Sequence, residues 1–387
     1  MAELLEVIEK IRAEEASVQR LFGSEGQGVR RGRKSPRYMQ KLTEAAKLVG
    51  DVMNGRRGAH VLKEAMTTSD FPYLFGDVLD RQVLASYQET PQTYRNYTKV
   101  AKVRDFRAVK RFGIYGADQV LPEVKQRAQY PVEELNENTP YSYAVVKHGR
   151  RVPFDWEMIV NDDLQALTDV PQRLGRAARR SEQKFVTEMY VDASGPHASF
   201  YTVDNLNKVT SNPALSLAAL QTGMSQFAGL KDENGEPIFI DMVELVVPPQ
   251  LEVTAMNYLN AISIELAEKG GTSNTKLVAA NWMKTKFRLN VDPYIPIVAS
   301  TANGATSWFL FANPDSGKPA LEMGFLVGHE EPEIFMKTPN ATRVGGGGED
   351  AMNGDFDTDS IEYKLRHVFG GARMDPKMTV GSNGSGS

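Results

Sequence analysis

The chain contains no cysteine. That removes disulfide frameworks, thiolate metal sites and cysteine nucleophiles from consideration. Histidine is scarce as well, with five residues (His60, His148, His197, His329 and His367) far apart in sequence, which leaves acid–base or metal chemistry little to draw on. No apolar run approaches the ~18 residues of a membrane span, and the first residues lack a secretory pattern, so a soluble intracellular protein is expected. Positive charge is not in excess either: 45 Lys and Arg stand against 49 Asp and Glu. A dedicated nucleic-acid binder would ordinarily be basic.

What the chain does have is length, 387 residues, enough to bury a sizeable core. Its organising stretch is 156–191, where Val160, Leu164, Leu167, Leu174, Ala178, Phe185 and Met189 recur at helical spacing. Pro171 suits the first turn of a helix. The spacing therefore predicts a short helix, a turn at Thr168-Asp169 and a long helix from Pro171 to about Val191. Its apolar stripe should lie along a sheet. Arg173, Arg176, Arg179, Arg180, Glu182, Lys184 and Glu188 should form the opposite, charged face.

Ahead of it, residues 3–22 place Leu4, Ile8, Ile11, Val18 and Leu21 on one helical stripe, ended by Gly23 and a flexible GSEGQG. A second helical pattern covers 36–52. Between the two lies a basic linker with Arg30, Arg31, Arg33, Lys34 and Arg37, either a solvated connection or a contact for nucleic acid or an acidic face. An aromatic cluster in 70–90 leads into a helix. Residues 94–116 and 140–154 then read as two long strands of a ribbon, joined by a polar tip that carries prolines. A ribbon with no core of its own is marginal alone and suggests a neighbouring subunit.

After the long helix the pattern alternates. A helix over 215–230, a strand over 238–248, a helix over 249–269 and short strands at 276–281, 291–300, 307–314 and 321–328 suggest a compact α/β lobe around a mixed sheet. Two longer strands, 331–337 and 359–374, flank a loop containing Gly345 to Gly348. The terminal GSNGSGS reads as disordered.

No catalytic constellation emerges. The four-glycine run lacks the GK[ST] and the strand-to-helix setting of a phosphate loop. Asp162-Asp163 point to different sides of a helix and suit a cap better than a metal. His329, beside Glu330 and Glu331, has no nucleophile near it in sequence.

Three signatures, in order, carry a family likeness: VNDDLQALTDVPQRLGRAARRSEQKFV, VVPPQLEVTA and EYKLRHVFGGARMDP. Together they resemble the major capsid proteins of tailed bacteriophages with the Hong Kong ninety-seven fold, the first most like the branch of Mu-type head subunits. The resemblance implies an α+β capsid fold with six parts. These are an N-terminal arm (1–69), the start of a P-domain (70–93), an E-loop ribbon (94–154), a P-domain spine helix (155–193), an α/β A-domain (194–328), and P-domain strands with a tail (329–387). It implies a structural subunit, not an enzyme, that needs no cofactor or metal. Such a subunit builds hexamers and pentamers of an icosahedral head in the host bacterial cytoplasm and remains in the virion. Partners would be other copies, a portal, scaffolding or cement proteins, and packaged double-stranded DNA held by weak nonspecific contact, with no membrane. Leu4, Ile8, Ile11, Arg173, Arg176 and Arg180 are the expected assembly contacts. Arg30, Arg31, Arg33, Lys34 and Arg37 are expected to face the DNA. Two alternatives remain from sequence: an encapsulin-like nanocompartment shell and an α/β enzyme.

Overall fold

A computed structural model describes residues 83–89, 91–111, 141–155, 164–231, 242–267, 276–315, 319–337 and 360–386, with shorter pieces at 48, 56, 80, 114–115, 123–126, 129–130, 136–137 and 240. Most of the arm and of the ribbon tip, and all of Asp162-Asp163 and the four-glycine loop, lie outside the described residues. The chain forms two compact units. One takes the chain up to Pro91, Val146–Arg180 and Leu326–Val368, and the other takes Gln92–Val145, Ser181–Phe325 and the chain from Phe369 onward.

The second unit is organised by four strands in the order β12-β9-β13-β17: Phe287–Val291, Val243–Val247, Trp308–Ala312 and Thr379–Ser382. β12 runs parallel to β9, whereas β13 is antiparallel to β9 and to β17. The sheet is mixed, as its sequence pattern suggests. Alternation explains why WFLFA is apolar throughout and VELVV is apolar at every position but Glu244. Phe309, Phe311 and Val246 enter one core cluster, while Trp308, Leu310, Val243, Leu245 and Val247 enter another on the opposite face. Helix Leu217–Gly229, capped by Ser216 accepting from the Ala219 N–H, contributes Ala219, Leu220 and Phe227 to the second cluster. Helix Glu252–Asn260 adds Ala255 and Leu259. The first cluster is closed by Val186, Met189 and Tyr190 of the long helix and by Leu321, Met323 and Phe325 of β14 (Leu321–Leu326).

The first unit is smaller. In it β16 (Ser360–Arg373) pairs with β6 (Val146–Asp155) and, antiparallel, with β15 (Glu333–Met336), Glu333 opposite Arg366. Its apolar cluster gathers Val83, Tyr87, Leu174, Ala178 and Leu365. The last residues of β16 belong to the second unit, where Phe369 stands opposite Phe325 of β14.

Four expectations are corrected. The long helix is continuous from Leu164 to Tyr190 and passes through Pro171 without the turn expected at Thr168-Asp169. Proline removes one N–H rung, a loss that the bonded turns on either side can carry. The ribbon is shorter than expected: β2 (Val109–Arg111) pairs with β5 (Tyr141–Tyr143) and β3 (Ile114–Tyr115) with β4 (Asn136–Glu137). Its supposed outer lengths pair elsewhere: β1 (Lys99–Val103), whose Val103 is buried, with β14, and β6 with β16. The helix expected over 249–269 ends at Asn260, and β10 (Ser263–Ala267) forms a hairpin with β11 (Lys276–Ala280). Within 291–300, expected as a strand, the strand ends at Val291 and a short helix follows over Ile295–Val298.

The tail supplies a fifth. GSNGSGS, expected to be disordered, begins inside β17 and then runs beside the 212–214 segment. The Gly386 N–H donates to the Asn212 carbonyl at 2.8 Å, and Thr306 Oγ1 donates to the Asn383 carbonyl at 2.7 Å. Small residues are needed here, not merely tolerated. Gly384 has φ +68°, and a side chain there would run into Thr306. Composition alone cannot tell a flexible glycine from one that fits a tight path.

Candidate functional site

The expected assembly residues of the arm (Leu4, Ile8, Ile11) and the basic linker (Arg30, Arg31, Arg33, Lys34, Arg37) lie outside the described residues. Arg173, Arg176 and Arg180 are exposed on the first part of the long helix, at intervals of three and four that keep them on one side. Arg179 and Glu182, expected on that same charged face, are buried. Arg179 donates through Nε to the Tyr87 carbonyl at 2.7 Å, and its guanidinium lies 3.6 Å from the Tyr87 ring centre. Glu182 accepts from the Tyr94 hydroxyl at 2.7 Å. Each buried charge has a partner that offsets its lost water. The charges of RAARRSEQ therefore point to more than one side.

Sequence reasoning missed a buried polar cluster around Asp292, whose residue is 0% exposed. Its Oδ2 accepts from the Tyr190 hydroxyl and from Thr187 Oγ1, both at 2.6 Å, and from the Tyr97 hydroxyl at 3.3 Å. Oδ1 accepts from the Tyr294 N–H at 2.9 Å. Burial first, and Asp292 second, push both tyrosines far above their usual pKa, so they remain protonated donors. With donors on both oxygens and no exposed surface, the carboxylate is not placed to receive a substrate. It pins the end of the long helix to the loop after β12. Only the separate letters T, Y and D stood in the sequence, with nothing to mark their convergence.

Two histidine clusters resemble catalytic groups and fail on geometry. Ser199 Oγ lies 3.2 Å from His197 Nδ1, but the Asp192 carboxylate accepts from the Ser194 and Ala198 N–H groups, both at 2.7 Å. Arg373 Nη1 lies 2.9 and 3.1 Å from the two ring nitrogens of His197. Burial, then Arg373, lowers the His197 pKa against a smaller opposing pull from Asp192. A nucleophile needs a base held by a third group, and among the described residues no carboxylate is shown accepting from this imidazole. His329 instead meets Glu333 Oε1 at 2.6 Å, while Arg366 holds Glu333 Oε2 at 2.6 Å. Among the described residues, no group of three or more His, Asp or Glu could hold a metal ion.

The ribbon base is built differently. Glu322 of β14 is buried and accepts from Arg111 Nε at 2.9 Å and from the Tyr143 hydroxyl at 2.5 Å. Gly324, two residues on, lets the Tyr143 ring and Val103 close over β14; a Cβ there would stand 2.7–2.8 Å from both. Beside this anchor the chain is solvent-facing. Lys99, Lys102, Arg104, Arg107 and Lys110 are exposed, and Phe106 in the turn is 50% exposed. The surface this leaves, among the described residues, is a basic edge beside an anchored base, suited to contact.

Comparison with known proteins follows the same line. A family model described as phage capsid protein matches residues 139–380, from the second half of the ribbon through the long helix and the lobe to β17. No curated protein matches the sequence. Among solved structures, the virus-like particle from Pyrococcus furiosus aligns at 10% identity and TM-score 0.40 over 80% of this chain and 99% of that one. The holo-SrpI encapsulin complex from Synechococcus elongatus aligns at 11% identity and TM-score 0.44, over 76% and 88%. The procapsid of bacteriophage JBD30 aligns at 14% identity and TM-score 0.37, over 81% and 75%.

Proposed function

This chain belongs to the phage capsid protein family, and from that premise we propose that it assembles as hexamers and pentamers into an icosahedral head around double-stranded DNA. It is a structural shell protein of the virion. The observation that carries this reading is the family match over 139–380, which takes in the long helix and most of both cores. The buried Asp292 cluster is consistent with it, since that carboxylate is sealed by its own donors.

The finer parts of the proposal rest on surfaces. The ribbon, anchored at Glu322 and with exposed cations beside its base, crosses a subunit boundary as an E-loop. Residues 155–193 act as the spine of a P-domain and 194–328 as an A-domain, with 329–387 returning to the P-domain. The arm (1–69) reaches a neighbour or a scaffold through Leu4, Ile8 and Ile11, and Arg173, Arg176 and Arg180 add further subunit contacts. Arg30, Arg31, Arg33, Lys34 and Arg37 give local, salt-sensitive contact to DNA. Portal, scaffolding or cement proteins join the shell during assembly in the host cytoplasm.

Negative-stain electron microscopy of the purified full chain tests the core of this reading. Closed particles of uniform diameter are expected. A small monodisperse oligomer under all assembly conditions would overturn it and return the enzyme alternative to consideration.

A further inference from the structure

Arg373 is a half-buried cation whose side-chain contacts, among the described residues, are all with neutral groups. It ends β16, where it stands opposite Leu321, and the next N–H, of Met374, donates to the Ala320 carbonyl at 2.8 Å. Its Nη1 donates to Ser199 Oγ at 2.8 Å and lies 2.9 and 3.1 Å from Nδ1 and Nε2 of His197. The in-plane directions of the two ring nitrogens diverge, so one N–H cannot follow both, and the guanidinium rests against the ring. Nδ1 already meets the Ser199 N–H at 3.3 Å and the Ser199 hydroxyl at 3.2 Å, which leaves the proton of the neutral ring on Nε2. The Nε2–H and the guanidinium N–H groups thus lie side by side, with no acceptor shared between them among the described residues.

The turn carrying these groups is fixed from behind. Asp192 accepts from the Ser194 and Ala198 N–H groups. The His197 carbonyl accepts from the Phe200 and Tyr201 N–H groups, both at 2.9 Å, and both of those rings are buried in the core. Donors held this way lose little freedom when a ligand arrives.

We propose that Arg373, His197 and Ser199 form a binding site for a phosphate group, free or carried by a nucleic-acid backbone. Such a site belongs to the single subunit, whether or not copies assemble, and so goes beyond the shell function. The planar guanidinium fork suits a phosphate, whose several oxygens can accept from it and from the Nε2–H together. The bound anion supplies the acceptor these donors lack and offsets the charge of Arg373. Binding is also linked to a proton. Arg373 and Asp192 are the charged groups that face the ring: burial first, and Arg373 second, lower the His197 pKa, and Asp192 opposes them. An anion beside the ring counters Arg373 and favours the imidazolium, so binding takes up a proton. By reciprocity, affinity rises as pH falls toward the pKa of the bound form.

Histidine and amide NMR signals of the unassembled full-length chain read the site, with the His197 signal assigned by its loss in His197→Gln. Inorganic phosphate should shift that signal to saturation and raise the pKa it reports. Read from the Ser199 amide, Arg373→Met should weaken binding about tenfold or more, and Arg373→Lys, which keeps the charge without the fork, by less. Sulfate, whose own charge is constant from about pH 8 to about pH 6, should bind more tightly at the lower pH, and His197→Gln should abolish that dependence. A short DNA duplex at low salt separates the two sources. A duplex that shifts the same His197 signal and is displaced by phosphate makes the backbone the ligand; a response to phosphate alone makes it the free anion.

A His197 signal indifferent to phosphate would overturn the proposal. So would undiminished binding by Arg373→Met and Arg373→Lys subunits whose melting temperatures are unchanged. Acetate binding as tightly as phosphate would also overturn it, assigning the site to a carboxylate of a protein partner.

Discussion

The mixed-sheet lobe and the ribbon show two ways of using a strand. In the lobe, both faces of β9 and β13 are covered by the chain itself, so almost every side chain is apolar. In the ribbon, β2 and β5 pair with each other, and among the described residues Tyr143, Val103 and Arg111 at the base reach the body. The lobe is stable by burial. The ribbon base is held by a few polar contacts, and the cations described beside it are exposed. A change in the lobe should therefore appear as lost stability, and a change along the ribbon as lost association.

The largest effect should come from breaking the lobe. Phe309 is fully buried, with its ring edge-on to Tyr190 at 4.9 Å between centroids. Phe309→Ala should cost about 3–5 kcal/mol. Phe106→Ala, at an exposed turn, should change subunit stability by no more than about 0.5 kcal/mol while lowering assembly yield. Denaturant melts of the unassembled subunit and particle yields measure the two. Equal destabilisation by both substitutions would erase the distinction between the regions.

A middle effect is expected where the two regions join. Glu322→Gln keeps the shape of the side chain but removes the charge that Arg111 and Tyr143 address. Burial first, and Glu322 after it, hold the Tyr143 hydroxyl above its usual pKa, so that proton stays available to donate. The loss should be about 1–2 kcal/mol, read as faster hydrogen exchange at 109–111 and 141–143 with the lobe strands unchanged. Unaltered protection at those positions would mean that Gly324 packing alone holds the base.

How far these regions could be read from sequence follows from their chemistry. Strands buried on both faces announce themselves as apolar runs, and VELVV and WFLFA did. Helix Leu217–Gly229 was legible from its spacing. SIELA was not, because its apolar residues fit a helix as well as a strand, and only pairing with Lys276–Ala280 decides between them. Arg179 and Glu182 look like surface charges until Tyr87 and Tyr94 are brought to them by tertiary structure. The glycine-rich tail misled for a related reason: composition reports flexibility, whereas Gly384 is used for its left-handed backbone. Of the candidate surfaces, Arg173, Arg176 and Arg180 were readable as exposed. The Glu322 anchor and the Asp292 cluster, made of single residues far apart in sequence, were not.

The smallest expected effect lies inside the lobe and depends on pH. Glu244 sits on β9, buried, and accepts from the Asn290 amide, with Arg288 4.0 Å away. Burial is the largest influence and raises its pKa, more than Asn290 and Arg288 lower it. The folded protein thus holds this proton more tightly than the unfolded chain. Between the unfolded value, 4.5, and the raised folded one, the native state binds more protons, and stability falls as pH rises. Above the folded value the full penalty for a buried charge persists. Glu244→Gln, which can still accept from Asn290, should remove it: the variant should melt slightly higher than the parent at pH 7, and the gap should close as the pH approaches 4. The ribbon edge, exposed to water, should show no comparable gain from neutralising Asp105. Melting curves from pH 4 to 8 for both variants decide the matter. If Glu244→Gln is the less stable protein at pH 7, the Arg288 and Asn290 contacts outweigh burial, and the lobe would then hold its charges by pairing, as the ribbon base does.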